Sequence, residues 1–211
     1  MSTHQRDNKK ELGGLHSAKI LLYSVDFAEI EHYQASGDWA KSAGVLSQIA
    51  QKLEQAGADF IVICTNTMHK VDPQIQKQIA IPILHIAQAT AEALLENGIQ
   101  KVGPLGTKYT MTQDFYKEKL LEAGLEVLIP DQAGITEVNR VIYDELCLGD
   151  IKDSSKQTYL TIIDDLKNVG AEAVILGCTE IGLLVQQADT DLLLYYATVI
   201  HAEKAAEWAV G

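Results

Sequence analysis

Apolar residues recur along this chain with two different periods, and their alternation outlines a fold. Short, nearly unbroken apolar runs read as buried strands: "KILLYSV" (19–25), "DFIVICT" (59–65), "PILHI" (82–86), "KVGPLGT" (101–107), "LEVLIP" (125–130), "AEAVILGCT" (171–179) and "DLLLYYA" (191–197). Between them, apolar positions fall at helical spacing in "WAKSAGVLSQIAQKLEQAG" (39–57), "AQATAEALLENG" (87–98) and "TQDFYKEKLLEAG" (112–124), each closing on glycine. Two longer helices are expected at about 134–148 and 153–169, and a last one from about 199. Strand and helix in turn predict parallel α/β architecture. Pro104 is the discordant residue, because a buried strand loses a ladder donor there. Residues 1–14, polar and ending in a glycine pair, read as a frayed tail or helix end.

An internal echo organises the chain further. "GADFIVICTNTM" and "GAEAVILGCTEIG" both run from a helix-closing glycine through alanine, an acid and four or five apolar residues to cysteine and threonine. Two related half-sheets would each carry a cysteine, Cys64 and Cys178, at the carboxyl end of a strand, where open α/β folds bind ligands. The predicted fold is α/β with two pseudo-symmetric αβα lobes and parallel four-stranded-type sheets. Residues 1–98 with 198–211 form the first lobe and 99–197 the second.

Composition narrows the function classes. The 211 residues are 47% hydrophobic and 22% charged, ordinary for a chain that buries a core. A net charge of −12 with no basic stripe argues against nucleic acid or an anionic membrane as partner. With no leader and no apolar run of spanning length, the expected location is cytoplasmic. There the three cysteines, Cys64, Cys147 and Cys178, remain thiols.

A single strand-end cysteine is ordinarily a small core residue. The duplicated setting points instead to chemistry, since each thiol is followed by threonine and a polar group able to cap a helix or hold a carboxylate: Asn66 and Thr67 after the first, Glu180 after the second. Glu180 reads equally as a proton acceptor or as a helix cap. Cys147, in "YDELCLGD", falls on an apolar helical stripe and is assigned to core packing. His69 follows the first motif closely enough to face a cleft or to support it, and His201 in the last helix is a candidate neighbour of Cys178. His4, His16, His32 and His85 lack ligand spacing, so no metal site is expected. "GPLGTKYT" lacks the Gly-Lys-Ser/Thr of a phosphate loop.

"IVICTNTMHK" (61–70) and "VILGCTEIGLL" (174–184) resemble the paired cysteine signatures of the cofactor-independent aspartate/glutamate racemase family. "LGGLHSAKILLYSVDFAEIE", "LGTKYTM" and "ELCLGD" are similar to its broad-specificity amino-acid racemase branch. The resemblance implies racemisation of aspartate, glutamate or related polar amino acids without cofactor, with Cys64 and Cys178 as the two bases on opposite faces of Cα. It also implies substrate contacts from Asn66, Thr67, Thr107, Tyr109, Thr110 and Thr179, support from Glu180, His69 and His201, and a homodimer. Lys152 is either a partner for a distal carboxylate or a solvated lysine at a helix start. Relatives open with a strand and glycine-rich turn that has no counterpart here, so the first lobe is expected to be truncated and activity reduced or absent. Two alternatives stay open: an amino-acid-binding or interaction protein derived from a racemase, and a maleate-isomerase-like enzyme.

Overall fold

A computed structural model describes residue 13 and residues 15–210, so the expectation for the N-terminal tail falls almost wholly outside the described residues. The chain packs as two compact units. One comprises residues up to Ile63, Met68–His85 and Glu203–Gly211, and the other Cys64–Thr67 with Ile86–Ala202.

The larger unit is a parallel sheet clad by helices on both faces. Its strands are β3 (Lys101–Gly106), β4 (Glu126–Val127), β5 (Ala173–Gly177) and β6 (Leu193–Tyr196), in the order β4-β3-β5-β6. Alternate residues of β5 point to opposite faces. Val174 and Leu176 join a cluster with Ile135, Val138, Tyr159 and Ile163, whereas Ala173 and Ile175 join one with Leu94, Tyr116 and Leu120. The first cluster is covered by α7 (Gln132–Asp144) and α8 (Asp153–Asn168), the second by α4 (Ile86–Glu96) and α6 (Asp114–Glu122). Because both faces are buried, these strands have no polar alternation, which is why they stand out in the sequence as continuous apolar runs. Gly103 is required by close packing, since a Cβ there would lie 2.7 Å from Leu166.

Pro104 is accommodated in the middle of β3, opposite Ile175 of β5. The Leu128 N–H donates to the Val102 carbonyl at 2.9 Å, so the next rung of the β3–β4 ladder would need an N–H at Pro104. That donor is missing, and β4 ends at Val127. Proline shortens the neighbouring strand and leaves β3 itself intact.

The smaller unit holds α1 (Phe27–Ser36), α2 (Trp39–Gln55), β1 (Ile61–Val62), α3 (Asp72–Gln76) and β2 (Ile83–Leu84). Asp26 and Asp38 cap α1 and α2 by accepting from the Ala28 and Lys41 amides. β1 and β2 form a two-stranded parallel sheet, and Ile61, Val71, Ile75 and Ile79 make its core with Ala43 and Ala50 of α2. Two strand expectations are corrected here. "DFIVICT" contributes only Ile61 and Val62 to a strand, and "KILLYSV" belongs to no sheet among the described residues. Ile20, Leu21, Leu22 and Tyr23 are all exposed, Leu22 at 81%. Apolar β-formers alone do not make a strand, because the ladder needs a neighbour to supply hydrogen bonds. No helix among the described residues is long and apolar enough to cross a membrane.

Candidate active site

The site begins where β3 and β5 end side by side. Gly106 and Gly177 are paired across the two strands, so the residues that follow them, Thr107 and Cys178, leave the sheet at the same edge. A Cβ on Gly106 would meet the Gly177 carbonyl at 2.9 Å, so this approach demands glycine. Thr107 then caps α5 (Lys108–Thr112), its hydroxyl accepting from the Thr110 amide.

The first cysteine motif joins this edge through hydroxyl groups. Thr67 Oγ1 lies 3.0 Å from Thr107 Oγ1, which in turn lies 3.3 Å from Thr110 Oγ1. All three threonines are buried. The segment Cys64–Thr67 therefore packs with the larger unit, the one that holds Cys178. Cys64 is exposed at the surface, yet its thiol is packed closely enough for desolvation to raise its pKa. Two residues on, Asn66 is 3% exposed, and neither its Nδ2 nor its Oδ1 has a hydrogen-bond partner among the described residues. Such a group costs about 1–3 kcal/mol when left unpaired, so it demands an explanation.

The second motif is electrostatically different. The Cys178 thiol donates to Glu180 Oε2 at 3.0 Å. Burial pushes its pKa well above the ordinary thiol range, and the Glu180 carboxylate adds to this by repelling a thiolate and by accepting the thiol proton. The Glu180 backbone N–H acts the other way. Thr179 is exposed, and Tyr109 lies beneath the Lys108 ammonium, 5.1 Å from ring centroid to Nζ.

The chain belongs to the Asp/Glu/hydantoin racemase family. The family model matches residues 3–209. A candidate Asp/Glu racemase from Yersinia pestis is 49% identical, with a TM-score of 0.93, over 99% of this chain and 91% of that one. An aspartate racemase homologue from Pyrococcus horikoshii OT3 is 35% identical at a TM-score of 0.84, over 99% and 91% of the two chains. The broad specificity amino-acid racemase of Bacillus subtilis is 25% identical over 145 residues, 68% of this chain, and the match spans 61% of that relative's length.

Within this racemase-family chain, the histidines divide. His69 is buried in the 3-10 turn Thr67–Val71, and its ring centroid lies 4.5 Å from that of His85, whose Nε2 is 3.6 Å from Asp72. His201 is buried inside α9 (Ala197–Val210), which starts two residues earlier than expected. Among the described residues no group of three or more His, Cys, Asp or Glu side chains is arranged to hold a metal ion.

Cys147 requires a correction. It is exposed, on the 3-10 turn Leu146–Leu148 that follows α7, and its neighbour Leu146 is the residue that enters the core. Burial and the Glu180 charge both raise its thiol pKa. The helical stripe misassigned it because α7 ends at Asp144 and the changed pitch turns Cys147 outward. The residue that sequence patterning missed is Glu145. It is buried, accepts from the Ser155 hydroxyl at 2.5 Å and pairs with Arg140 at 2.8 Å. An acid next to a leucine at a helix end gives no sign of burial.

Proposed function

We propose that this chain is an amino-acid racemase that inverts Cα with two thiols, Cys64 and Cys178, and needs no pyridoxal phosphate. Asn66 carries the reading. A buried amide whose donor and acceptor both lack a partner among the described residues is complementary to an amino acid's carboxylate and ammonium groups, so a bound substrate would satisfy both. Asn66 also stands two residues from Cys64, which brings the bound Cα to a thiol.

In one direction the Cys64 thiolate removes the Cα proton and the Cys178 thiol delivers one to the opposite face; in the other direction the roles exchange. The bond electrons pass into the carboxylate, where Asn66 Nδ2 and the threonine hydroxyls stabilise the developing charge. Both thiols are raised in pKa, Cys178 further because Glu180 accepts its proton, so Cys64 is the readier base of the two and Cys178 the readier acid. Tyr109 and Thr179 line the entrance, while His69 and His201 support the motifs from within. Substrates are polar amino acids, and the assignment to lobes, 1–98 with 198–211 and 99–197, rests on the duplicated motifs.

A homodimer and a cytoplasmic location belong to the same reading. The exposed run Ile20–Tyr23 favours a covering partner, and three free cysteines suit a reducing compartment. Circular-dichroism assays with L- and D-amino acids test the activity, which requires loss of optical rotation from either enantiomer. Optical rotation that persists for every amino acid offered, with folded protein, overturns the reading. Light scattering tests the dimer, and a monomer at micromolar concentration excludes it.

A further inference from the structure

The first cysteine motif is a short loop whose two flanks return to the same end of the two-stranded sheet. β1 and β2 pair in parallel register, Ile61 with Ile83 and Val62 with Leu84, so Ile63 and His85 are the next residues beyond the last rung. Cys64 follows Ile63 directly. The chain comes back at the turn Thr67–Val71, where the buried ring of His69 lies 4.5 Å from the ring of His85, tilted by 57°. Residues 64–68 are therefore spanned between a strand end and a ring contact, both at the carboxyl end of β2. The span holds Cys64, Asn66 and Thr67, and the Thr67 hydroxyl lies 3.0 Å from that of Thr107.

The rest of the turn is fixed as well. Met68 and Val71 are buried, Val71 in the core with Ile75, and the Lys70 ammonium lies 3.9 Å from the Trp39 ring centroid. His85 is fixed in turn from α3, whose first residue, Asp72, places Oδ2 3.6 Å from His85 Nε2. A carboxylate at that edge favours the tautomer with its proton on Nε2 and limits rotation of the ring. His69 and His85 are 1% and 8% exposed, so little water is available to stand in for either contact. Neither Asp72 nor His85 carries a reacting atom, yet a loop displaced by about 1 Å can cost about a hundredfold in rate. We propose that His85 and Asp72 anchor the first cysteine loop, acting through His69 as positioning residues for Cys64 and Asn66. What the loop does rests on the racemase reading, whereas the anchoring is a separate statement about the turn.

Iodoacetamide alkylation of the intact chain, resolved thiol by thiol by mass spectrometry, reads the loop without reference to turnover. Cys64 and Cys147 are both exposed, so Cys147 serves as the internal control. His85→Ala should raise the Cys64 rate about three- to tenfold, with Cys147 and Cys178 within about twofold of their parent rates. Asp72→Leu should act in the same direction, and Asp72→Asn, which keeps an oxygen facing His85, should act less than Asp72→Leu. In racemisation assays, His85→Ala should lower kcat/KM about ten- to a hundredfold, split between kcat through Cys64 and KM through Asn66. If His85→Ala does not fold, the two Asp72 variants, altered at a half-buried side chain, carry the comparison. Unchanged Cys64 alkylation, or equal increases at all three thiols, overturns the anchoring. A selective Cys64 change that leaves kcat/KM at the parent value overturns the positioning role. A selective Cys64 response in a chain that racemises no amino acid supports the anchoring and overturns the racemase reading instead.

Discussion

The two cysteine motifs share a sequence pattern but not an environment. Cys64 comes after a two-residue strand, sits at the surface, and is raised in pKa by desolvation alone. Cys178 comes directly after the five-residue β5, is half-buried, and is held as a thiol by a carboxylate 3.0 Å away. A two-base reaction needs one base deprotonated and one acid protonated at the start of each turnover, so an unequal pair suits it better than an equal one. The asymmetry comes from the residue two positions after each cysteine: in the first motif the buried amide of Asn66, unpaired among the described residues, and in the second the carboxylate of Glu180.

The comparison breaks most severely if either thiol is removed. Cys64→Ala and Cys178→Ala should each reduce racemisation by about 10²–10⁴-fold or more, while hydrogen exchange at Cα in deuterated water survives in one direction only. Parent rates in either variant would end the two-thiol scheme. Next in size is Asn66→Leu. Removing an unsatisfied buried amide should raise thermal stability by up to about 1–3 kcal/mol and weaken substrate binding by a comparable amount. Thermal unfolding and calorimetry on the same sample check both signs, and a destabilised variant with unchanged affinity would assign Asn66 to structure.

Glu180→Gln sharpens the comparison by making the two thiols more alike. The carboxylate raises the Cys178 pKa, so its neutralisation lowers that pKa toward the ordinary range, though burial keeps part of the elevation. The thiolate then forms at lower pH, and the acidic limb of the direction that uses Cys178 as base moves to lower pH. Ultraviolet titration of the thiolate reads this directly; an unmoved Cys178 titration would show that burial alone controls it. The smallest effect is expected from Thr107→Val, which removes the hydroxyl linking Thr67 to Thr110 and also the cap of α5. A loss of about 1–2 kcal/mol in stability and a modest rise in KM should result, seen in unfolding and steady-state assays.

Much of the larger unit was legible because a sheet buried on both faces writes itself as unbroken apolar runs, and β5 appears within "AEAVILGCT" as expected. The smaller unit was less legible. "KILLYSV" has the composition of a strand but no partner among the described residues, and strand pairing is a property of two segments that neither one encodes alone. Cys147 was misplaced for a related reason: a helical stripe holds only while the helix does, and α7 stops three residues before it.

By itself the sequence determined the residue types at the strand ends, the repetition of the cysteine motif, and the family to which the chain belongs. These are local, since each strand end and its turn depend on a few contiguous residues. Only the tertiary structure decided that Asn66 is buried without side-chain hydrogen-bond partners among the described residues, that Thr67 reaches Thr107 across 40 positions, and that Glu145 holds Arg140 and Lys152. Burial, hydrogen-bond satisfaction and charge compensation depend on distances between residues far apart in the chain, and folding alone sets those distances.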